Sequence, residues 1–568
     1  MGAEERPAHG GAQAVEAARR HGVTTMFTLS GGHVFPLYDG AVSTDPPMPI
    51  IDVRHEQTAV FAAEATARLT RVPGLAVLTA GPGVTNGVSA VTTAHFNGTP
   101  LVILAGRAPD GRWGAGSLQE LDHPPLLAPV TKRAWTVHES GEVGTAAHEA
   151  FALASARHRG PVFLDASLEA LFGTPNAPSA ATGRGGDPPN PPAATGRGGT
   201  VDPAGPDTPD AAAVTAIAKL LARASRPVLV LGSDVWSDRA EHAARTAAER
   251  LQLPVIANGQ GRGILPVGHP LLVTRARSVA FGEADLVIVA GTPLDFRLGY
   301  GRFGGRGGAP PASVVHLADA TDQIATHCEL AGSAAGDLAA IFAGIAAEAA
   351  AGGWQQEWLP RLRAVCSEQV AADASLLHSD VSPIHPLRIY GELAGVLQPD
   401  AVVIGDGGDF VSYAGKYVEP QQPGGWLDPG PYGCLGTGLG YAIAARVARP
   451  ASQVVLLLGD GAAGFSLMDA DTLVRHGLPV VMICGNNGIW GLEKHPMQAL
   501  YGYDVAADLQ PGCRYDQVVT ALGGGGELVT DPDDIGPALR RAFDSGQPYL
   551  VNVVTDPKDA YPRSTTGV

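Results

Sequence analysis

Residues 454–488, VVLLLGDGAAGFSLMDADTLVRHGLPVVMICGNNG, decide the fold and the chemistry of this chain. The apolar run Val454–Leu458 ends in a Gly-Asp-Gly turn, and the apolar run Val480–Cys484 ends shortly before two asparagines. Short unbroken apolar runs are typical of strands buried on both faces, as in parallel sheets covered by helices. Asp460 and Asn487 then lie at adjacent strand ends, one strand–helix–strand unit apart. Their oxygens suit Mg²⁺, and the glycines let backbone N–H groups approach phosphates.

The same kind of run recurs along the whole chain, alternating with Ala-rich helical stretches. This alternation predicts an α/β fold with three doubly wound parallel-sheet domains, at residues 1–175, 205–350 and 380–556. A Pro/Gly-rich segment, residues 176–204, repeats AATGRGG and predicts a flexible linker. The polar tail 557–568 is either frayed or folded over a site as a lid. The further predicted strands are Leu75–Thr79, Leu101–Leu104, Val162–Leu164, Val228–Leu231, Leu286–Val289, Val314–Leu317, Val402–Ile404 and Leu550–Val554.

Composition excludes several classes of protein. Among 568 residues, 45% are hydrophobic and 17% are charged, which excludes bulk disorder. A net charge of −17 argues against nucleic acid or an anionic membrane as the main partner. The five cysteines lack the spacing of a zinc site or a disulfide framework. No signal-peptide core and no membrane-spanning run is found, so we expect a cytoplasmic multidomain enzyme.

The GDG…NN pair resembles the Mg²⁺–diphosphate motif of thiamine diphosphate (ThDP) enzymes of the acetolactate synthase and oxalyl-CoA decarboxylase type. The resemblance implies that Asp460 and Asn487 bind Mg²⁺ by their side chains and Ile489 by its carbonyl. It also implies that Gly459, Gly461 and Ala462 hold the diphosphate. A lone GDG turn is equally typical of an ordinary strand–helix turn, so the second motif and its spacing give the pattern its specificity.

The first domain carries Glu56 within RHEQ, after the predicted strand Ile50–Val53. By resemblance, Glu56 contacts N1′ of the ThDP aminopyrimidine and shares its proton. The alternative is a helix-N-terminal acid favoured by the macrodipole. The stretch GPGVTN, which contains Gly83 and Asn86, is similar to the family's loop beside the pyrimidine.

Two Gly-rich stretches in the last third of the chain complete the resemblance. In GPYGCLGTGLGYAI, the Gly433 carbonyl is implied to receive the 4′-amine and Leu435 to wedge under the rings. The alternative is a glycine turn before a core helix. GDGGDF resembles a loop that closes over the diphosphate, with backbone contacts from Gly408 and Asp409. Because Glu56 of one subunit serves the ThDP of another in this family, we expect self-association into a dimer or tetramer.

The substrate side resembles 2-hydroxyacyl-CoA lyases, of the actinobacterial type that handles 2-hydroxyisobutyryl-CoA. The segment NNGIWGLEKHP puts Glu493 where family members place a substrate-facing side chain. A carboxylate there suits deprotonation of a 2-hydroxyl. The implied reaction cleaves a CoA thioester to a ketone or aldehyde plus formyl-CoA. For Glu493, the alternative is a solvated glutamate paired with Lys494 or His495.

Weaker candidates surround this assignment. Gln119 and Glu120, which resemble the substrate-side QE of lyases and synthases, are further catalytic candidates. His33 and Leu127 are candidates for the substrate pocket; the alternative for His33 is a turn residue, and Leu127 is as suited to the core as to a pocket. The middle domain resembles the family's nucleotide domain, and we expect ADP rather than FAD there. Its candidate contacts are Arg159, Gly232, Arg297, Asp319 and Asp337.

Two other functions stay open. One is a ThDP enzyme acting on 2-keto acids, either a synthase or a decarboxylase. The other is a non-catalytic scaffold of the same fold.

Overall fold

The computed structural model describes residues 8–175, 208–559 and 561. The predicted linker 176–204 and most of the predicted tail 557–568 lie outside the described residues. The chain divides into two compact units. Unit 1 comprises the described parts of Met1–Pro203 together with Tyr432–Ala448 and Met468–His476. Unit 2 comprises the described parts of the remaining chain.

The first sheet has six parallel strands in the order β2-β1-β3-β4-β6-β5. Its strands are β1 (Met26–Thr28), β2 (Ile50–Asp52), β3 (Gly74–Leu78), β4 (Leu101–Arg107), β5 (Ala134–Val137) and β6 (Pro161–Ser167). The helices of this part of the chain are α1 (Gly10–Arg20), α2 (Phe35–Ser43), α3 (Glu56–Thr70), α4 (Pro82–Phe96), α5 (Pro124–Leu127), α6 (Val143–Ser155) and α7 (Leu168–Phe172).

The middle sheet has five parallel strands in the order β11-β10-β9-β7-β8. Its strands are β7 (Pro227–Leu231), β8 (Val255–Ala257), β9 (Leu286–Ala290), β10 (Ser313–Ala318) and β11 (Gly332–Ala335). The accompanying helices are α8 (Ala211–Arg223), α9 (Ser233–Ser237), α10 (Glu241–Leu251), α11 (Arg277–Glu283) and α12 (Leu338–Glu348), followed by α13 (Trp358–Leu377).

The third sheet has six parallel strands in the order β13-β12-β14-β15-β17-β16. Its strands are β12 (Val402–Asp406), β13 (Trp426–Leu427), β14 (Val454–Gly459), β15 (Val481–Asn486), β16 (Gly525–Val529) and β17 (Tyr549–Val554). The helices are α14 (Pro386–Ala394), α15 (Asp409–Tyr417), α16 (Gly438–Ala448), α17 (Asp460–Ser466), α18 (Ala470–Arg475), α19 (Gly491–Tyr501), α20 (Tyr515–Ala521) and α21 (Ile535–Asp544).

The prediction of three α/β parallel-sheet domains is confirmed. All ten apolar runs form strands, because each lies in a sheet interior where both faces are covered. Each sheet has its own apolar core built from these strands and the adjoining helices. In each sheet the strand order reverses direction, and open α/β folds bind ligands beside such reversals.

Two helices of the third sheet's part of the chain are grouped with unit 1. Helices α16 and α18 belong to unit 1, although their strands belong to unit 2. The close packing of α16 on α3 explains this: a Cβ added to Gly440 would lie 2.7 Å from the Cβ of Phe61. Among the described residues, no helix combines the length and the apolar character needed to cross a membrane.

Candidate functional site

The carboxyl edge of the third sheet brings together the two motifs that open the sequence. Asp460 follows β14 and Asn487 follows β15, and these strands are neighbours, with Gly459 paired to Gly485. The Asp460 carboxylate accepts hydrogen bonds from the backbone N–H of Gly461 at 3.0 Å and of Gly488 at 2.6 Å. Asp460 therefore lies directly against the turn that carries Asn487.

Asp460 is a buried acid whose environment suits a cation. Its side chain is 4% exposed. Burial raises the pKa of the Asp460 carboxyl to about 6, although the backbone N–H donors of Gly488 and Gly461 act in the opposite direction. Since burial disfavours the charged carboxylate, a cation held next to it offsets that cost.

The donor set fits magnesium and a diphosphate. A carboxylate, the Asn487 amide oxygen and a backbone carbonyl are all oxygen ligands, which Mg²⁺ prefers. A Cβ added to Gly459 would meet no atom within 4 Å, so the backbone there faces open space. A Cβ added to Gly461 would lie 2.5 Å from the Trp490 ring, which explains a glycine at that position. The residues present thus fit the cofactor that the sequence predicts.

The two asparagines after β15 have different roles. Asn486 is 1% exposed and donates to the Cys513 carbonyl and to Asn552 at 2.9 and 3.1 Å, so it holds the sheet interior together. Asn487 is half-buried, and its Oδ1 accepts from the N–H of Ile489 at 3.2 Å. Only Asn487 is therefore placed to offer its side chain to a metal.

The predicted diphosphate loop begins α15. Gly408 precedes the helix and Asp409 is its first residue. A Cβ added to Gly491 would lie 2.2 Å from Oδ2 of Asp409, so this carboxyl packs against the start of α19. That contact agrees with the expectation that the Asp409 side chain is not the group offered to phosphate.

Glu56 is the first residue of α3 in unit 1 and is 7% exposed. Its Oε2 accepts a hydrogen bond from Nδ2 of Asn86 at 3.0 Å. A Cβ added to Gly83 would lie 3.8 Å from Oε1 of Glu56. The two sequence motifs of the first domain, RHEQ and GPGVTN, therefore meet at this carboxyl.

The loop that carries Gln119 packs on the GPG turn. A Cβ added to Gly81 would come within 2.9 to 3.1 Å of Gln119 atoms. Glu120 closes its own loop, since its carboxylate accepts from the N–H groups of Gly114 at 3.0 Å and Ser117 at 3.2 Å. Both oxygens of Glu120 therefore have partners within its own loop, and its catalytic role stays a prediction.

A cavity of about 710 Å³ opens in unit 1 beside these residues. His33 and Gln119 both line it, together with Ser30, Gly31, Gly32, Thr79, Leu118, Leu168, Glu169 and Phe172. His33 Nδ1 lies 3.2 Å from Oγ1 of Thr79, and burial, with a smaller effect of His123, lowers the pKa of His33. Two of the predicted substrate-side residues therefore share one cavity.

Leu127 does not belong to that cavity. It ends the short helix α5 and is 1% exposed, packed inside the protein. Its burial agrees with the core alternative, since burying an apolar side chain is favourable, and its substrate role stays a prediction.

Gly433 and Leu435 lie on the segment before α16, within unit 1. Gly433 has φ +69°, and a Cβ there would meet no atom within 4 Å. Leu435 is half-buried. Helix α16 then packs on α3, where the Tyr441 hydroxyl donates to Glu64 at 2.8 Å. The alternative, a glycine turn before a core helix, describes the local structure correctly and does not conflict with coenzyme binding.

Glu493 lies in the first turn of α19 with its side chain exposed. Lys494 is bound by Asp504 at 2.9 Å and by Asp508 at 2.6 Å. The structure therefore does not show the Glu493–Lys494 ion pair of the alternative interpretation. Within the described residues no hydrogen bond or ion pair involves the Glu493 carboxylate.

The candidate nucleotide contacts of the middle domain have protein partners. Arg297 forms an ion pair with Asp295 at 2.7 Å, and Asp337 caps α12 by accepting from the N–H of Ala340 at 2.9 Å. Asp319 is 1% exposed at the end of β10. Gly232 precedes α9, where a Cβ would lie 2.3 Å from Thr292.

Arg159 differs from these residues in its position. It is half-buried and belongs to unit 1, whereas the other four belong to unit 2. The described contacts therefore give the predicted ADP site no support.

Sequence reasoning missed Asp469, which organises the start of α3. Asp469 is 1% exposed, and it accepts from the N–H of Arg54 at 2.7 Å and from the Thr58 hydroxyl at 2.6 Å. Both donors flank Glu56 in the sequence. Burial raises the pKa of the Asp469 carboxyl. In the sequence, Asp469 is visible only as an acid in a largely apolar stretch. That pattern does not identify its partners, which lie more than 400 positions away in the chain.

Three family descriptions match this chain. Residues 8–126 match the thiamine pyrophosphate enzyme N-terminal TPP binding domain, where thiamine pyrophosphate (TPP) is another name for ThDP. Residues 214–345 match the central domain and residues 406–553 the C-terminal TPP binding domain.

Similar proteins carry two different names. A "Probable acetolactate synthase" of Mycobacterium bovis is 48% identical over 558 residues, covering 98% of this chain and 97% of that protein. The "Acetolactate synthase large subunit IlvG" of Mycobacterium tuberculosis has the same identity and coverage. The "2-hydroxyacyl-CoA lyase 2" of Mus musculus is 32% identical over 575 residues, covering 96% of this chain and 90% of that protein.

The three matched domains follow the same order as the three parallel sheets. The motifs at Glu56 and Asp460 lie in the N-terminal and C-terminal TPP binding domains, respectively. The chain belongs to the family of thiamine pyrophosphate enzymes.

Proposed function

We propose that this protein forms or cleaves a carbon–carbon bond next to a carbonyl carbon with ThDP and Mg²⁺. The first candidate is the acetolactate synthase reaction, in which two pyruvate molecules give acetolactate and CO₂. The observation that carries it is the 48% identity to two proteins with that name over almost the whole chain.

Bound ThDP supplies a thiazolium ring that stabilises negative charge on the reacting carbon. The residues of the chain bind the coenzyme and move protons. Asp460, Asn487 and the Ile489 carbonyl would hold Mg²⁺ beside the diphosphate of the coenzyme. The Glu56 carboxyl, held by Asn86 at 3.0 Å, would share a proton with the pyrimidine ring of the bound coenzyme. These intact residues support an enzyme rather than a non-catalytic scaffold.

The second candidate is cleavage of a 2-hydroxyacyl-CoA to a ketone or aldehyde and formyl-CoA. Glu493 favours it, because its carboxylate is exposed at the start of α19 and is bound by neither Lys494 nor another described residue. A free carboxylate suits removal of a hydroxyl proton, whereas it repels the carboxylate of a 2-keto acid. The 32% identity to 2-hydroxyacyl-CoA lyase 2 also supports this candidate.

One assay with two substrates distinguishes the candidates. The purified protein with ThDP and Mg²⁺ is incubated separately with pyruvate and with 2-hydroxyisobutyryl-CoA. Acetolactate from pyruvate, without formyl-CoA from the thioester, supports the synthase. Formyl-CoA and acetone, without acetolactate, support the lyase. Neither product, from protein shown to contain ThDP, refutes both.

The variant Glu493→Gln tests the residue that favours the second candidate. If Glu493 is the base, the substitution lowers formyl-CoA formation by about 10²–10⁴-fold, the usual contribution of a general base. The matched control is Glu368→Gln, which removes the same charge from an exposed position on α13. Equal turnover in both variants assigns Glu493 to the solvated surface.

The proposal includes two features that depend on family resemblance. The first is self-association, since a dimer or tetramer lets Glu56 of one subunit serve the ThDP of another; analytical ultracentrifugation measures it. The second is ADP in the middle domain, which chromatography of the nucleotide released from denatured protein would detect.

A further inference from the structure

His123 is a buried histidine whose two ring nitrogens both have partners. It is 0% exposed. Its Nδ1 lies 2.7 Å from Oδ2 of Asp165, and its Nε2 accepts a hydrogen bond from the N–H of Gly81 at 2.9 Å. A backbone N–H only donates, so Nε2 carries a lone pair. The ring proton is then on Nδ1 and is donated to Asp165, which fixes one neutral tautomer and one ring orientation.

Asp165 is itself held in place. It lies in β6 and is 0% exposed. The Arg107 guanidinium is 3.6 Å from its Oδ2 and 3.0 Å from Asp122, and it stacks 3.7 Å above the Trp113 ring. A buried acid with this partner presents a fixed acceptor to His123.

The Gly81 turn connects this pair to Glu56. Gly81 has φ +60° and ψ −113°, a conformation that favours glycine, and it caps α4, which begins at Pro82. As the capping residue, it lies outside the helix ladder, so its N–H needs a partner other than a helix carbonyl. One turn further along α4, Asn86 donates to Glu56. The position of the Gly81 turn therefore sets the position of the donor that holds Glu56.

We propose that His123, oriented by Asp165, is a positioning residue for the proton transfer at Glu56. His123 holds the Gly81 turn in place. The first turn of α4 and Asn86 follow that turn, so the Glu56 carboxyl that Asn86 contacts also keeps its position. The role rests on the ThDP family chemistry and not on either candidate substrate, so it applies to a synthase and to a lyase alike.

The structure offers a matched control for a buried histidine. His316 in the middle domain is 1% exposed and also has a partner at each ring nitrogen, in its case two backbone groups. Its Nδ1 accepts from the N–H of Ala325 at 3.0 Å and its Nε2 lies 3.1 Å from the Thr292 carbonyl. His316→Leu likewise removes both hydrogen bonds of a buried histidine ring, far along the chain from Glu56.

Two measurements test the proposal without any substrate. The ¹⁵N NMR shifts of the His123 ring, in full-length protein without coenzyme, should show the Nδ1-protonated tautomer. The exchange rate of the ThDP C2 proton, in full-length protein loaded with ThDP and Mg²⁺, should fall at least ~10-fold in His123→Leu, since small misplacements of catalytic groups cost up to ~10²-fold. His316→Leu should leave that rate within about twofold of the wild type.

A conservative variant controls for a folding defect in His123→Leu. His123→Gln keeps an oxygen that accepts from Gly81, so it should recover part of the exchange rate lost in His123→Leu. If His123→Leu does not fold, His123→Gln is compared with the wild type and should be slower. Exchange equal to the wild type in the folded variants, or the opposite tautomer, overturns the proposal. Failure of both candidate substrates with normal C2 exchange affects only the proposed function.

Discussion

Replacing Arg68 by Met should destabilise unit 1 strongly, because it breaks a buried ion pair between α3 and its neighbours. Arg68 is 5% exposed and Glu64 is 0% exposed, and their charged atoms are 3.7 Å apart. Glu64 also accepts from Asn97 at 2.7 Å and from the Tyr441 hydroxyl at 2.8 Å. Arg68 in turn donates to the Tyr441 hydroxyl at 3.2 Å. The four side chains join α3, the end of α4 and α16.

The expected magnitude follows from burial. Removing one partner of a buried ion pair costs about 3–5 kcal/mol, since the other charge stays buried without compensation. Removing both charges in Arg68→Met/Glu64→Gln should cost much less, because the amide oxygen introduced at position 64 can still accept from Asn97. An exposed pair behaves differently: Arg361, 54% exposed, pairs with Glu283 at 2.7 Å, and Arg361→Met should lower the stability far less than Arg68→Met, because water screens an exposed ion pair.

Scanning calorimetry and urea unfolding of the three variants provide the measurement. At roughly 2–4 °C per kcal/mol for a domain of this size, Arg68→Met should lower the first unfolding transition by about 6–20 °C. ThDP affinity should fall with it, since α3 begins at Glu56. If Arg68→Met is as mild as Arg361→Met, or if the double variant is no more stable than Arg68→Met, the reasoning is refuted.

Two further predictions concern the coenzyme site directly. Glu56→Gln should retain ThDP, because the replacement side chain is of similar size and can still contact Asn86. The same variant should lower turnover about 10²–10⁴-fold. A decrease below about tenfold, with normal ThDP content, contradicts the role of Glu56. Asp460→Asn should weaken Mg²⁺-dependent ThDP binding by at least about 10–100-fold, because a buried anionic ligand is lost. Calorimetric titration of Mg²⁺ measures this effect, and an unchanged Mg²⁺ dependence contradicts the metal assignment.

Most interior strands were predictable from apolar runs, whereas the edge strands other than β2 (Ile50–Asp52) were not. Val454–Leu458 and Leu286–Val289 are continuous apolar runs because both faces of those strands are buried. The edge strand β11, Gly332–Ala335, consists of small residues and is half-exposed, so it carries neither an apolar run nor a clean alternation. β16, Gly525–Val529, begins with two glycines and is likewise only partly buried.

At the site, sequence motifs identified the candidate coenzyme residues and missed the residues that hold them in place. Glu56, Asn86 and Asp460 lie in short stretches that resemble the coenzyme-binding motifs of the family. His123 and Asp165 lie 42 positions apart, and their role arises only when β6 and the Gly81 turn come together. The one local signal is Asp165 inside the apolar stretch FLDAS. A buried Asp is expected to have a hydrogen-bond partner, but the sequence does not identify which residue that is.

The two candidate functions require the same coenzyme and differ in the role that they give to Glu493 on α19. This explains why the overall sequence similarity and the residue at position 493 favour different reactions. The 48% identity extends over 558 residues, and that span includes the three domains matched to the thiamine pyrophosphate enzymes, which a synthase and a lyase both require. A single general base contributes about 10²–10⁴-fold to the step that uses it, so one carboxylate on α19 outweighs many substitutions elsewhere. If the lyase reaction is correct, Glu493→Gln must lower formyl-CoA formation by that factor while C2-proton exchange stays unchanged, because Glu56 and Asp460 are untouched. A synthase that does not use Glu493 should instead keep its pyruvate turnover, or gain some as the repelling charge is removed.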